Sequence, residues 1–258
     1  MPSRGHRRAW EDWGEVNPLY AIVTDPRFRH GGDIGEFMAS GEAQVQGVLG
    51  ETERLAICSD RVAALDFGCG IGRLTAPLSR HFERAMGVDI SPTMLDKARE
   101  LHADIDNCEF RLNEGDDLSW IEDRSFDLVL SLLVLQHMDT VQMMETFLRE
   151  FVRVLKPGGA LVFQIPSSVP AHRPPLPSWK TRQGLRVRTA NALREIGVPA
   201  HILYNRMDWV PEMTLLALSD DRTRAVLEAA GGTIAQVTPT AADAGGTVHR
   251  TYFVTRLP

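Results

Sequence analysis

The 258-residue chain is 43% hydrophobic and 24% charged, the balance of a globule large enough to bury its own core. A formal net charge of −6 gives no support for wrapping nucleic acid, and no stretch approaches the ~18 apolar residues of a membrane span. Three cysteines (Cys58, Cys69, Cys108), odd in number and without metal-ligand spacing, point to a reducing cytoplasm and away from a disulfide framework or a metal site.

Residues 1–60 hold Trp10, Trp13, Tyr20, Phe28, Phe37 and Met38 in an otherwise polar segment. Arg4, Arg7 and Arg8 are followed by no apolar run, so no secretory signal is expected. Asp33 to Leu49 reads as one or two short helices, and the whole segment as a helical cap. Val62 to Phe67 reads as a buried strand. It ends in Gly68, Gly70 and Gly72, after which Leu74, Leu78 and Phe82 mark a helix. Arg84 to Val88 is a second strand, and Asp89 stands at its tip, 17 residues past Gly72. Strand, glycine turn and helix let a ligand press against bare backbone, and an acid at the second strand's tip suits a ribose diol. These residues therefore read as a nucleoside site.

Ser91-Pro92 predicts a helix start, serine as N-cap and proline at the first position, with the helix running to about Ala103. Glu109 to Leu112 is a third strand, followed by the acidic loop Asn113 to Leu118. Phe126 to Leu135 is nearly continuous apolar sequence and predicts a central strand buried on both faces. Asp139 with Gln142 reads as a capping box. Met144, Phe147, Leu148, Phe151, Val152 and Leu155 then give a helix with one apolar face. Lys156-Pro-Gly-Gly159 stops it, and Ala160 to Ile165 is the next strand. Residues 167–194 hold Pro170, Pro174, Pro175 and Pro177, with six basic residues (Arg173, Lys180, Arg182, Arg186, Arg188, Arg194) and no acid. The block reads either as solvated surface or as a lid that recruits an acidic acceptor. After an apolar stretch from Met207 to Leu218, Ser219 caps a helix ended by Gly231-Gly232. Thr233 to Thr238 and Val248 to Thr255 are two final strands.

Asp66-Phe-Gly68-Cys-Gly70-Ile-Gly72 resembles the first motif of class I S-adenosylmethionine (SAM)-dependent methyltransferases. Gly-Val-Asp89-Ile-Ser resembles their second. Arg124-Ser-Phe-Asp127-Leu-Val-Leu-Ser resembles their fourth strand, and Leu155-Lys-Pro-Gly-Gly159 the turn before the fifth. The resemblance covers about residues 60 to 166. It implies an α/β, Rossmann-like seven-stranded sheet, mostly parallel with an antiparallel C-terminal strand, and helices on both faces. The cap would be 1–60 and the SAM-binding domain 61–258, with a substrate-binding insertion at about 167–212.

The resemblance implies SAM as cofactor, held by Asp66, Gly68, Cys69, Gly70, Gly72, Asp89, Ile90, Met94 and Leu132. Glu114 would take the adenine amino group and the Gly115 amide a ring nitrogen, with Asp116 or Asp117 as alternatives to Glu114. Phe37 and Gly41 are candidates for reaching the cofactor from the cap. His137, just past the fourth strand, is the candidate general base for a hydroxyl acceptor, with His172, His201, Tyr20 and Tyr204 as alternatives. The fourth strand leads into Ser131-Leu-Leu-Val, which lacks the Asn/Asp-Pro-Pro-aromatic motif of base-methylating enzymes. The expected acceptor is a small molecule of bacterial secondary metabolism, O- rather than N-methylated, and the protein a monomer or homodimer. A SAM-binding cyclase or regulatory protein is a second reading. A nicotinamide oxidoreductase is a third, weakened by Arg73 where Gly-x-Gly-x-x-Gly requires glycine.

Overall fold

The computed structural model describes residues 4–168, 182–207, 209–211, 215–240 and 247–257. Seven strands form one sheet: β1 Ala63–Phe67, β2 Arg84–Asp89, β3 Cys108–Leu112, β4 Phe126–Ser131, β5 Leu155–Ser168, β6 Gly232–Pro239 and β7 Val248–Arg256. The helices are α1 Arg4–Val16, α2 Pro18–Val23, α3 Ile34–Arg54, α4 Thr75–Leu78, α5 Pro92–Leu101, α6 Val141–Val154, α7 Arg182–Glu195, α8 Ala200–Met207 and α9 Asp220–Ala229. The strand order is β3-β2-β1-β4-β5-β7-β6. The first five strands pair in parallel, and β7 runs antiparallel between β5 and β6. The order reverses between β1 and β4, so the carboxyl ends of those strands open a crevice where α/β sheets bind ligands.

Strands β1 and β4 are buried along their whole length, as two covered faces require. On one face, α6 lays Phe147 and Phe151 against Phe67, with ring centroids 4.6 and 5.0 Å away. Truncating Phe151, fully buried, would cost about 3–5 kcal/mol in lost transfer energy and cavity. On the other face, Val45, Val48 and Leu49 of α3 cover Leu128, Leu130 and Val162. Asp127, buried in β4, binds three strands together: it accepts from the Ala63 amide (2.8 Å) and from Lys156 Nζ (2.9 Å to each oxygen).

Ser91 caps α5 and Ser219 caps α9, each side chain accepting from the amide three residues on, as the sequence predicts. Several boundaries differ: β5 starts at Leu155 and runs to Ser168, so Lys156-Pro-Gly-Gly159 lies within the strand and not before it. Asp33 caps one continuous helix through Arg54, not two short ones. The helix after the glycines is a single turn, Thr75–Leu78, with no side-chain cap at Leu74, so Phe82 lies beyond it. Strand β4 ends at Ser131 instead of Leu135, because Leu133 turns left-handed (φ 63°) and a 3-10 turn, Leu135–His137, follows. Thr140, not Asp139, caps α6 and accepts from the Met143 amide; the Asp139 carboxylate faces His6 of α1 instead. The proline-rich run from Pro170 to Pro177, His172, Arg173 and Lys180 lie outside the described residues.

Helices α7 and α8 fold back onto α1: Ala190, Ala200, Leu203 and Trp209 bury together with Val16. Arg194 pairs with Asp12 of α1 at 2.5 Å, so this arginine of the basic block anchors the cap. Among the described residues no helix is long and apolar enough to cross a membrane.

Candidate functional site

The glycine turn folds back on β2. The Gly68 and Cys69 amides both donate to the Val88 carbonyl, at 2.7 and 3.1 Å. The Gly70 amide donates to Asp89 Oδ2 (2.8 Å), and the Ser91 amide to Asp89 Oδ1 (3.0 Å). The carboxylate is thus aimed by backbone alone, and each oxygen keeps a lone pair for a further donor. Gly68 and Gly70 have φ of 78° and 53°, where a side chain is strained. A Cβ on Gly70 would lie 2.5 Å from Ile22 of α2.

Burial raises the Asp89 carboxyl above its ordinary value, with the Ser91, Gly70 and Ile90 amides pulling the other way. A carboxylate so perturbed on a cavity wall is a candidate for a functional site. Asp66 sits behind the turn, 2% exposed, and accepts from the Thr75 hydroxyl at 2.6 Å. Desolvation pushes it up to about 6, opposed by that hydrogen bond and by Arg73.

A cavity of about 80 Å³ lies over the turn, bounded by Gly68, Gly70, Asp89, Ile90, Met94, Gly115, Leu132 and His137 among the residues singled out from sequence. Asp66, Cys69, Gly72, Glu114, Asp116, Phe37 and Gly41 are not on its wall. Cys69 is buried with Leu95, Ala98 and Phe110, and burial holds its thiol protonated. Gly72 backs onto His102 and Phe110. Gly41 lies tight against Arg73, and Phe37 packs on Phe28 with the Arg73 guanidinium 5.7 Å from its ring. Glu114 points outward and meets Arg7 of α1 at 3.8 Å. Asn113, which sequence reasoning did not single out, is on the wall; its Oδ1 accepts from Trp120 Nε1 at 3.1 Å.

The rest of the wall comes from α1, α2, the β4–α6 connection and α6: His6, Trp10, Ile22, Leu133, Val134, Met138, Met143 and Phe147. Leu133, a branched residue held at φ 63°, is the sort of local strain that clusters at binding sites. Trp10 stands edge-on between two histidines, with ring centroids 5.3 Å from His137 and 6.4 Å from His6. The spacing His6, Trp10, Trp13 on one helical face was the signal that could have found this wall. Among the described residues no cluster of His, Cys, Asp and Glu could hold a metal ion.

Residues 65–163 match the family model described as a methyltransferase domain. A demethylmenaquinone methyltransferase of Tropheryma whipplei is 40% identical over 98 residues, 38% of this chain and 39% of that protein. A ubiquinone biosynthesis O-methyltransferase of Mesorhizobium japonicum is 28% identical over 60% of this chain and 64% of its own length. The matched stretch thus spans about two fifths of the first of these relatives. Among solved structures, the N-methyltransferase NodS from Bradyrhizobium japonicum, in complex with S-adenosylhomocysteine, superposes with a TM-score of 0.59 at 16% identity, covering 98% of each chain. Magnesium protoporphyrin IX methyltransferase from Synechocystis gives the same TM-score at 16% identity over 97% of each chain. At these identities the structural likeness speaks for the fold. The chain resembles the class I SAM-dependent methyltransferases, and the fold drawn from its motifs is theirs.

Proposed function

We propose that this protein is a SAM-dependent methyltransferase acting on a small-molecule acceptor, with a hydroxyl oxygen receiving the methyl group. The observation that carries the reading is the Asp89 carboxylate, aimed by the Gly70 and Ser91 amides at the mouth of a cavity floored by bare glycine backbone. Asp89 would hold the ribose hydroxyls, Ile90 and Met94 would flank the adenine, and Gly68 and Gly70 would admit the aminocarboxypropyl end. SAM supplies an activated methyl on a sulfonium, so the protein's part is to align the acceptor and exclude water. The apolar walls from Trp10, Leu132, Met138 and Phe147 suit that part.

Support for a small acceptor comes from relatives named as a demethylmenaquinone methyltransferase and a ubiquinone biosynthesis O-methyltransferase, and from a largely apolar cavity. A hydroxyl is favoured because histidines stand on the cavity wall. The exposed Arg186 and Arg188 of α7 favour an acceptor that also carries negative charge. We place the protein in the cytoplasm of a cell making such compounds as secondary metabolites. Calorimetric titration with SAM, S-adenosylhomocysteine and NAD tests the reading. Binding of the first two and not the third is expected. NAD binding without SAM would overturn it.

A further inference from the structure

Exposed apolar side chains are not spread evenly over this molecule. Leu185, Ile196, Ile202 and Val210 are all exposed, and all lie on α7, on α8 or just after it. Leu185 is 62% exposed and Ile196 79%. A single exposed leucine is ordinary, but several together mark an interaction surface. On α7, Leu185, Thr189, Ala192 and Ile196 recur at steps of four, three and four, and each is exposed. The opposite face packs inward: Ala190 and Leu193 join Leu203 of α8 and Val16 of α1, and Arg194 pairs with Asp12. The exposed stripe therefore points away from the protein.

Positive charge sits on the same stretch. The chain as a whole carries −6, yet α7 has no acid before Glu195. Arg186 and Arg188 of α7 and Arg206 of α8 are exposed. Aliphatic side chains among arginines suit a surface that is anionic outside and apolar just beneath, as a bilayer of acidic lipid is. Other occupants match less of this chemistry. A two-fold contact with a second copy would set arginine against arginine. Nucleic acid would meet the arginines and leave the aliphatic side chains in water. A protein partner would seat its anchors in a pocket, and neither the cavity over the glycine turn nor the one between α3 and α4 takes a wall from these helices.

We propose that the outer face of α7 and α8 docks this protein reversibly on an anionic lipid bilayer. Leu185 and Ile196 enter the headgroup boundary, and Arg186, Arg188 and Arg206 meet lipid phosphates. The same helices pack on α1, whose His6 and Trp10 wall the cavity over the glycine turn, so docking brings that wall towards the bilayer. The proposal goes beyond the methyltransferase reading and does not depend on it.

The test is co-sedimentation of the full chain with vesicles of phosphatidylcholine alone, or of equal parts phosphatidylcholine and phosphatidylglycerol. Binding to the mixed vesicles at 0.1 M salt is expected, with little to phosphatidylcholine. It should weaken as the screening length shortens from ~10 Å at 0.1 M to ~3 Å at 1 M. Replacing Arg186 and Arg188 by glutamine should weaken it about 25-fold, at about five-fold for each charge (about 1 kcal/mol, at 1.4 kcal/mol per factor of ten). Leu185→Asp with Ile196→Asp should abolish it and leave the urea denaturation midpoint unchanged. Should that variant fail to fold, Leu185→Ala with Ile196→Ala takes its place, and weaker binding is expected. Inorganic phosphate should not displace the protein from the vesicles; displacement would assign the arginines to a free-phosphate site and overturn the proposal. Wild-type protein that stays in solution beside the mixed vesicles overturns it, as does binding that survives both pairs of substitutions. A dimer in sedimentation velocity that the aspartate pair dissolves, with no vesicle binding, overturns it in favour of a second copy.

Discussion

Replacing Asp89 by alanine isolates what the carboxylate does for a ligand from what it does for the fold. In the folded chain its two oxygens accept from the Gly70 amide at 2.8 Å and the Ser91 amide at 3.0 Å. Two ribose hydroxyls would complete its hydrogen-bonding capacity. A hydrogen bond to a charged group contributes about 1.5–3 kcal/mol, and the two act on one ribose, so their loss should total about 2–4 kcal/mol. At 1.4 kcal/mol per factor of ten, Kd for SAM should rise by roughly 30- to 700-fold. The cost to the unliganded fold should be much smaller. Two amides lose an acceptor, but a carboxylate whose ionised form is penalised by burial is also removed. The assay is calorimetry with SAM and S-adenosylhomocysteine, beside urea denaturation of each protein without ligand. A folded Asp89→Ala that binds SAM with wild-type affinity would refute the assignment. Equal losses of binding and of stability would show that the carboxylate only holds the turn.

Gly70→Val should abolish SAM binding measured by calorimetry, since it forces a branched side chain to φ 53° and drives a Cβ against Ile22; wild-type binding would mean that the glycine loop is only a turn. Asp66 titrates near 3.8 when unfolded and at about 6 when folded, so the native state holds the extra proton between those values. Its contribution to stability is present in full below about pH 4 and is lost as pH rises to about 6, by roughly 3 kcal/mol at 1.36 kcal/mol per unit. Urea denaturation of unliganded Asp66→Asn across that range should show this part of the slope removed, and an unchanged slope would contradict the assignment. If Arg186 and Arg188 guide an anionic acceptor, its KM should rise with salt, as screening shortens from ~10 Å at 0.1 M to ~3 Å at 1 M, while the KM for SAM changes less. Replacing both by glutamine should reproduce the high-salt KM at low salt, and no response to either change would mark them as solvated surface.

Much of the sheet was legible because its signals are local. Continuous apolar runs mark β1 and β4, Ser91-Pro92 marks α5, and three alternate glycines mark the turn. The end of β4 was not legible: Leu132, Leu133 and Val134 continue the apolar run, yet Leu133 turns left-handed. Asp139 was misplaced for a related reason. With Gln142 three residues on it fits a capping box better than Thr140 does, but it faces His6 from the far end of the chain, and Thr140 accepts from the Met143 amide. The part of the cavity wall that comes from α1 was hidden by the same distance. Nothing near His6 or Trp10 announces a site until α1 folds across the carboxyl ends of the strands, fixed by Glu11 to the Thr93 hydroxyl (2.6 Å) and by the Gly14 carbonyl to Lys97 (2.6 Å). Glu114, drawn from a family pattern, proved to be a surface partner of Arg7, while Asn113 one residue earlier turns inward.

The most direct test is incubation of the protein with SAM carrying an isotopically labelled methyl group and a panel of small phenols, catechols and amines, read by mass spectrometry. The account predicts one labelled methyl on a hydroxyl oxygen of a small-molecule acceptor, with S-adenosylhomocysteine released in equal amount. Binding of SAM with no label on any acceptor and no S-adenosylhomocysteine would contradict it, and would point to a protein that binds the cofactor without transferring its methyl.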